Sequence, residues 1–196
     1  NMPHYRSASK EIRQSGFPLY QGAVNEGRGL PTLLQTMAWH DLPLVIAGGG
    51  DILHDLKERV RQLNLEDRVR FTGQLNPDAL RELTQDAFIG FNLLDGDSLN
   101  YRHSLANRFF DFVQAGIPQI GMNFEGYRSF NDQFEVAILL DRADADHVSA
   151  AILRLVNEPE RYNYLRNQCR LAAECWTWEA ACEPLLLSLY REAVSS

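Results

Sequence analysis

"LPLVIAGGGDILHDLKERVRQLNLEDRVRFTGQL" (residues 42–75) decides the fold. Leu42–Gly50 is a continuous, β-branched-rich apolar run closed by three glycines, which predicts a strand buried on both faces. "DILHDLKERVRQLNL" has helical spacing, with Asp51 expected as its N-cap. "DRVRFTGQL" returns to strand character. A helix between two strands is too long a link for a hairpin. It predicts a parallel pair joined by a right-handed crossover.

The same alternation extends in both directions. "FPLYQGAV" (17–24) reads as a strand and "GRGLPTLLQTMAWH" (27–40) as a helix. "NPDALRELTQDA" (76–87) reads as a helix with Asn76 as cap and Pro77 at its first position. "FIGFNLL" (88–94) is a strand, "RHSLANRFFDFVQAGIPQIG" (102–121) a helix running into a strand, and "IPQIGMN" (117–123) that strand. "VAILLD" (136–141) is expected as the last strand. Helices fill the chain from about Asp144, broken at Pro159 and at "CWTWE" (175–179). Residues 1–16 are polar and lack period, a linker; residues 17–196 form one domain. The fold class is α/β: a Rossmann-like, doubly wound parallel sheet with helices on both faces. Ligands of such sheets lie outside the carboxyl ends of the strands.

Composition narrows the function. A chain of 196 residues that is 45% hydrophobic can bury one sizeable core. No run approaches the ~18 apolar residues of a membrane span, and no secretory leader is visible. A net charge of −7, with lysines and arginines scattered, argues against nucleic acid. Cys169, Cys175 and Cys182 have neither disulfide nor zinc spacing and fit a reducing, cytoplasmic location.

The strand-to-helix loops hold the candidate chemistry. In "GAVNEGRGL" (22–30) two glycines flank Arg28 at a helix start, where free N–H groups and a guanidinium fork suit phosphate; a solvated turn is the alternative. The glycines of "AGGGDILHDL" (47–56) are not G-x-G-x-x-G. They either admit a ligand to the backbone or make a tight turn. "DGD" (95–97) could hold a cation beside a diphosphate, or be a solvated loop. His4, His40, His54, His103 and His147 form no ligand pair, and no G-x-S-x-G elbow appears. Asp111, beside two phenylalanines in an otherwise apolar helix, calls for a reason.

These segments, in this order, resemble the C-terminal, donor-binding domain of GT-B-fold glycosyltransferases, particularly family four. "LYQGAVNEGRGLPTLLQTM" is similar to the family's first strand, glycine-rich loop and helix. Residues 42–87 are similar to its central run with V-x-F-x-G. "SLANRFFDFVQAGIPQI" resembles a variant of its E-x7-E motif followed by A-x-G-x-P. "CWTWE" resembles the tryptophan-bearing start of its last helix.

The resemblance implies an NDP-sugar site and transfer of a hexose to an acceptor hydroxyl with retention of configuration. It gives Asp111 the ribose hydroxyls, Arg28 the diphosphate with Arg108 assisting, and the backbone at Gly73, Gln74 and Leu75 the base. His103, Ser104, Leu105, Ala106 and Asn107 take the helix start that meets the diphosphate. His103 stands where the family has its first Glu and Asp111 where it has the second. The implied binding needs no cofactor and no metal, so "DGD" is set aside. It further implies that this chain is a C-terminal half. Its partner would be an N-terminal acceptor-binding domain of the same protein, which supplies the catalytic residues. A non-catalytic nucleotide-sugar-binding module and a UDP-sugar 2-epimerase of the same fold are the rival readings.

Overall fold

The computed structural model describes residues 16–94 and 105–183, with 186, 187 and 190. The linker up to residue 15, Asp95 and Asp97 of "DGD", His103 and Ser104 lie outside the described residues. Among those described, six strands form one parallel sheet in the order β3-β2-β1-β4-β5-β6. The strands are β1 (Phe17–Gln21), β2 (Leu44–Ala47), β3 (Val69–Gly73), β4 (Ala87–Asn92), β5 (Gln119–Met122) and β6 (Ala137–Leu140). The helices are α1 (Leu30–Met37), α2 (Leu53–Gln62), α3 (Pro77–Gln85), α4 (Asn107–Ala115), α5 (Glu125–Asn131), α6 (Ala145–Asn157) and α7 (Pro159–Cys175). A π-helical turn spans Trp178–Cys182.

All six expected strands are present, and the strand order reverses between β1 and β4. Successive side chains of a strand serve opposite faces. Tyr20, Ile46, Ile89, Phe91 and Ile120 meet Leu33, Leu34, Leu56 and Ile152 of α1, α2 and α6. Leu19, Val45 and Ala47 meet Phe112 and Ala115 of α4, with Leu80 and Leu83 of α3 packed against them. The helix α7 crosses between layers. It starts in the first core with Tyr162 and Leu165 and ends in a second with Cys169, Ala172 and Trp176.

The structure corrects three local expectations. Asp51 is not the cap of α2; the flanking residue is Ile52, without a side-chain cap, and the Asp51 N–H donates instead to Asn25 Oδ1 at 3.2 Å. The helix α4 begins at Asn107, so Leu105 and Ala106 precede it. The helix α5 was not expected; its seven residues lack a clear apolar stripe and bury mainly Tyr127. Asn76 does cap α3, accepting from Ala79 N–H at 2.9 Å, with Pro77 at the first position.

Position of α4 is set by packing. A Cβ built on Gly90, in the middle of β4, would sit 2.6 Å from the Phe112 ring, so the missing side chain is what lets α4 lie on the sheet. Gly116 ends α4 at φ 72, where a side chain would be strained. Phe109 and Phe110 enter an aromatic cluster with Tyr127, Phe130 and Trp176, at centroid separations such as 5.3 Å for Phe109–Tyr127 and 5.2 Å for Phe110–Phe130. The phenylalanines beside Asp111 thus anchor the helix that carries it. Gly90→Ala should cost ~1–3 kcal/mol, the range for overpacking. Adding Phe112→Leu should make the double variant more stable than the sum of the two single losses, read from urea midpoints. An unchanged midpoint in Gly90→Ala would mean that α4 can lift away freely.

Candidate functional site

At the reversal point, β1 is followed by α1 on one face and β4 by α4 on the other. The chain leaves these two strands in opposite directions, and a crevice remains over their carboxyl ends. The last residues of the two strands, Gln21 and Asn92, are polar yet buried.

Arg108 fills the crevice and is 7% exposed. Its Nε donates to Asn92 Oδ1 at 2.7 Å, and its Nη1 donates to Tyr20 Oη at 3.1 Å and to the Gln21 carbonyl at 3.3 Å. The Tyr20 hydroxyl donates in turn to Ala23 O at 2.5 Å, so a lone pair is free to face the guanidinium. Asn92 Nδ2 donates to Gln119 Oε1, and Gln119 Nε2 donates to Phe109 O at 2.9 Å. Every acceptor around Arg108 among the described residues is neutral, and its Nη2 is buried without a hydrogen-bond partner.

Arg28 lies between Gly27 and Gly29, both at positive φ, directly before α1. A Cβ on Gly29 would lie 2.6 Å from the Leu93 side chain, so this loop is pressed against the residue after β4. Tyr127 connects the parts: its hydroxyl accepts from Ala106 N–H at 3.1 Å, just before α4. Burial raises the Tyr127 pKa, and the Ala106 N–H, Arg108 and Arg28 oppose that rise. Both guanidiniums therefore lie within electrostatic reach of the start of α4.

Asp111 sits one turn after Arg108 and is exposed on α4, but it opens into a cleft rather than onto a flat surface. The cleft, about 460 Å³, runs between α3 and α4 and is lined by Leu75, Leu80 and Ala115 with Gln21, Thr84 and Asp111. The surrounding protein pushes the Asp111 carboxyl above its ordinary value, while a hydrogen bond from Gln21 Nε2 at 3.2 Å opposes that. Gln21 thereby joins the arginine crevice to the carboxylate cleft.

Of the expected site residues, Asp111 and Leu75 share the cleft, while Arg108 and Ala106 lie at the start of α4, with Arg28 within electrostatic reach of Tyr127 there. Asn107 is exposed as the first residue of that helix. Gly73 O is already taken by the Gly48 N–H at 2.9 Å. Gln74 lies over Gly49. The glycine run packs loop on loop: a Cβ on Gly48 would lie 1.9 Å from Gly22 O. Tyr20, Gln21, Thr84, Asn92 and Tyr127 were not anticipated. Their one signal was a polar residue closing each of the apolar strands "FPLYQ" and "FIGFN".

Residues 25–158 match the family model for glycosyl transferases group 1. The chain belongs to that family. A 66-residue stretch is 41% identical to an alpha-monoglucosyldiacylglycerol synthase of Streptococcus pneumoniae, covering 33% of this chain and 15% of that protein. The fold is similar to sucrose-phosphate synthase from Thermosynechococcus elongatus, with a TM-score of 0.75 at 21% identity, over 94% of this chain and 47% of that one. It is also similar to Anabaena Alr3699/HepE in complex with UDP, with a TM-score of 0.76 at 12% identity, over 90% and 49%. The chain spans about half the length of these solved relatives. The sheet is thus Rossmann-like, and these solved structures share its fold over about half of their length.

Arg108→Lys keeps the charge but cannot serve Asn92, Tyr20 and Gln21 at once. It should destabilise the chain by ~1–3 kcal/mol, the cost of leaving a buried polar group unsatisfied. Chemical denaturation measures it; a wild-type midpoint would mean that water replaces the lost fork.

Proposed function

We propose that this chain is the donor-binding, C-terminal half of a cytoplasmic glycosyltransferase. It holds an NDP-sugar from which a hexose passes to an acceptor hydroxyl with retention of configuration. The observation that carries the reading is the buried Arg108 guanidinium, which among the described residues is hydrogen-bonded to neutral acceptors alone and has Nη2 unpartnered. A buried cation in that state favours an anion strongly. Arg28, like Arg108, lies within electrostatic reach of Tyr127 at the start of α4, and a diphosphate suits that cluster. Asp111, opening into the adjoining cleft, suits the ribose hydroxyls, and the apolar wall at Leu75 suits a base. The solved structure of Anabaena HepE with UDP supports the same class of ligand.

The arginines and helix N–H groups would stabilise the departing diphosphate by fixed electrostatics, without a metal. Among the described residues no cluster of His, Cys, Asp or Glu could hold a metal ion, and no helix is long and apolar enough to cross a membrane. The acceptor and the catalytic groups of the other half belong to the N-terminal domain. The resemblance assigns the donor sugar to His103.

The 196-residue chain should bind UDP or GDP equally well in EDTA, by calorimetry, and transfer no sugar from a labelled donor. Positioning of the acceptor is worth ~7–11 kcal/mol of barrier, and the chain alone does not supply it. Loss of binding in EDTA, or robust transfer by the chain alone, counts against the reading. Activity of the full-length protein distinguishes transfer from 2-epimerisation by product and from a non-catalytic module by turnover.

Asp111→Ala should weaken nucleotide binding by ~1.5–3 kcal/mol, with little change in melting temperature. A 2′-deoxynucleotide should lose part of that energy in wild type and little in the variant. Arg28→Ala should weaken NDP strongly and the bare nucleoside hardly at all, because a guanidinium gains most from phosphate charge. Equal losses for both ligands would remove Arg28 from the diphosphate.

A further inference from the structure

Asp111 is one methylene shorter than the glutamate whose place the resemblance gives it, so its direction matters more. Among the described residues its one hydrogen-bond partner is Gln21, at Oδ2; Oδ1 is left for a ligand. Gln21 is 1% exposed and Thr84 2%, so both are buried in the cleft floor. Thr84 Oγ1 is 2.8 Å from Gln21 Oε1. It is also 2.6 Å from Leu80 O, the i−4 carbonyl of its own helix.

We propose that Thr84 and Gln21 are positioning residues for Asp111, a buried relay that fixes the carboxylate in the orientation in which it receives the ligand's hydroxyls. The relay rests on the reading of this cleft as the nucleotide site. A carboxamide has a donor end and an acceptor end. With an ionised carboxylate beside it, Gln21 must turn its NH₂ to Asp111 and its oxygen to Thr84. Two oxygens would then face each other unless Thr84 gives its single hydroxyl proton to Gln21, releasing Leu80 O. Ionised Asp111, the orientation of Gln21 and the direction of the Thr84 proton are thus one coupled state. Protonation of Asp111 frees the other two. Gln21 also holds Arg108 through its carbonyl, so the same residue sets the spacing between guanidinium and carboxylate.

The cleft also holds Arg81 of α3, itself paired with Asp78 at 3.0 Å. Arg108 lies one turn earlier on α4, committed to Asn92, Tyr20 and Gln21. The packed helix α7 meets α4 here through the carbonyls of Ala173 and Trp176 on Gln114 Nε2. A donor on Oδ2 favours the ionised form, so its loss moves the Asp111 titration upward.

The test is a ¹³C NMR titration of the Asp111 carboxyl in the unliganded chain, paired with UDP calorimetry across pH. Gln21→Met and Thr84→Val should both raise the Asp111 midpoint, and Thr84→Ser should restore it. Nucleotide binding needs the ionised carboxylate, so its acid-side loss should begin at higher pH in Gln21→Met and Thr84→Val. UDP affinity there should fall about 3- to 10-fold, the worth of one neutral hydrogen bond. Should Gln21→Met not fold, Thr84→Val, which changes one hydroxyl to methyl, carries the measurement. A midpoint unmoved in these variants overturns the relay whatever UDP does. A midpoint that moves in a chain that binds no nucleotide sustains the relay and overturns the nucleotide reading.

Discussion

A guanidinium withdrawn from water is tolerable only where its N–H groups meet acceptors in fixed positions. Arg108 imposes that condition on the centre of this sheet. It demands a carbonyl-bearing side chain at the end of β4, which is Asn92. It also demands a hydroxyl and a free main-chain carbonyl at the end of β1, which are Tyr20 and Gln21. Asn92 is in turn tied to Gln119 and through it to Phe109 O, so the network closes on the helix that bears Arg108. Breaking any link leaves a buried polar atom unsatisfied elsewhere in the loop, which makes the arrangement cooperative.

The network could not close unless α4 sat at one height and rotation over the sheet. Gly90 gives the room for Phe112, and the aromatic cluster around Trp176 grips the outer side of the helix. Gln114 then ties α4 to the end of α7. With that rotation set, residues three apart on α4 point towards neighbouring places. Arg108 enters the crevice and Asp111 the cleft, and Gln21 touches both.

The alternation of apolar strands with amphipathic helices made the sheet legible, because periodicity reports burial and burial defines a doubly wound fold. Asn76-Pro77 was legible for the same local reason, since a cap and the helix it caps adjoin in sequence. Asp51 misled: the acid stands before an apolar-periodic run, but Asn25, 26 residues away, takes its N–H. The short α5 has too little period to announce itself. Asp111 stood out as a carboxylate in an apolar helix and Arg28 as a guanidinium between glycines at a helix start; the resemblance supplied only the ligand expected of each. Gln21 and Thr84, 63 residues apart, look ordinary in sequence, since their partnership exists only once α3 crosses the sheet.

The chain as a whole is acidic, at −7, so no general field draws an anion to it. Attraction must be local, and local attraction survives only if the protein does not cancel it. An arginine with an aspartate three residues on in a helix would ordinarily form an ion pair. Here it does not. Arg108 is turned inward to neutral acceptors, and Asp111 is bonded to a neutral carboxamide. Gln21 stands between the two charges and satisfies each without neutralising either. Among the described residues of this group 1 glycosyltransferase chain, a cation and a carboxylate thus stay side by side without an ion pair to quench either. On the proposed reading, such a pair meets a ligand that is anionic at one end and hydroxyl-rich at the other.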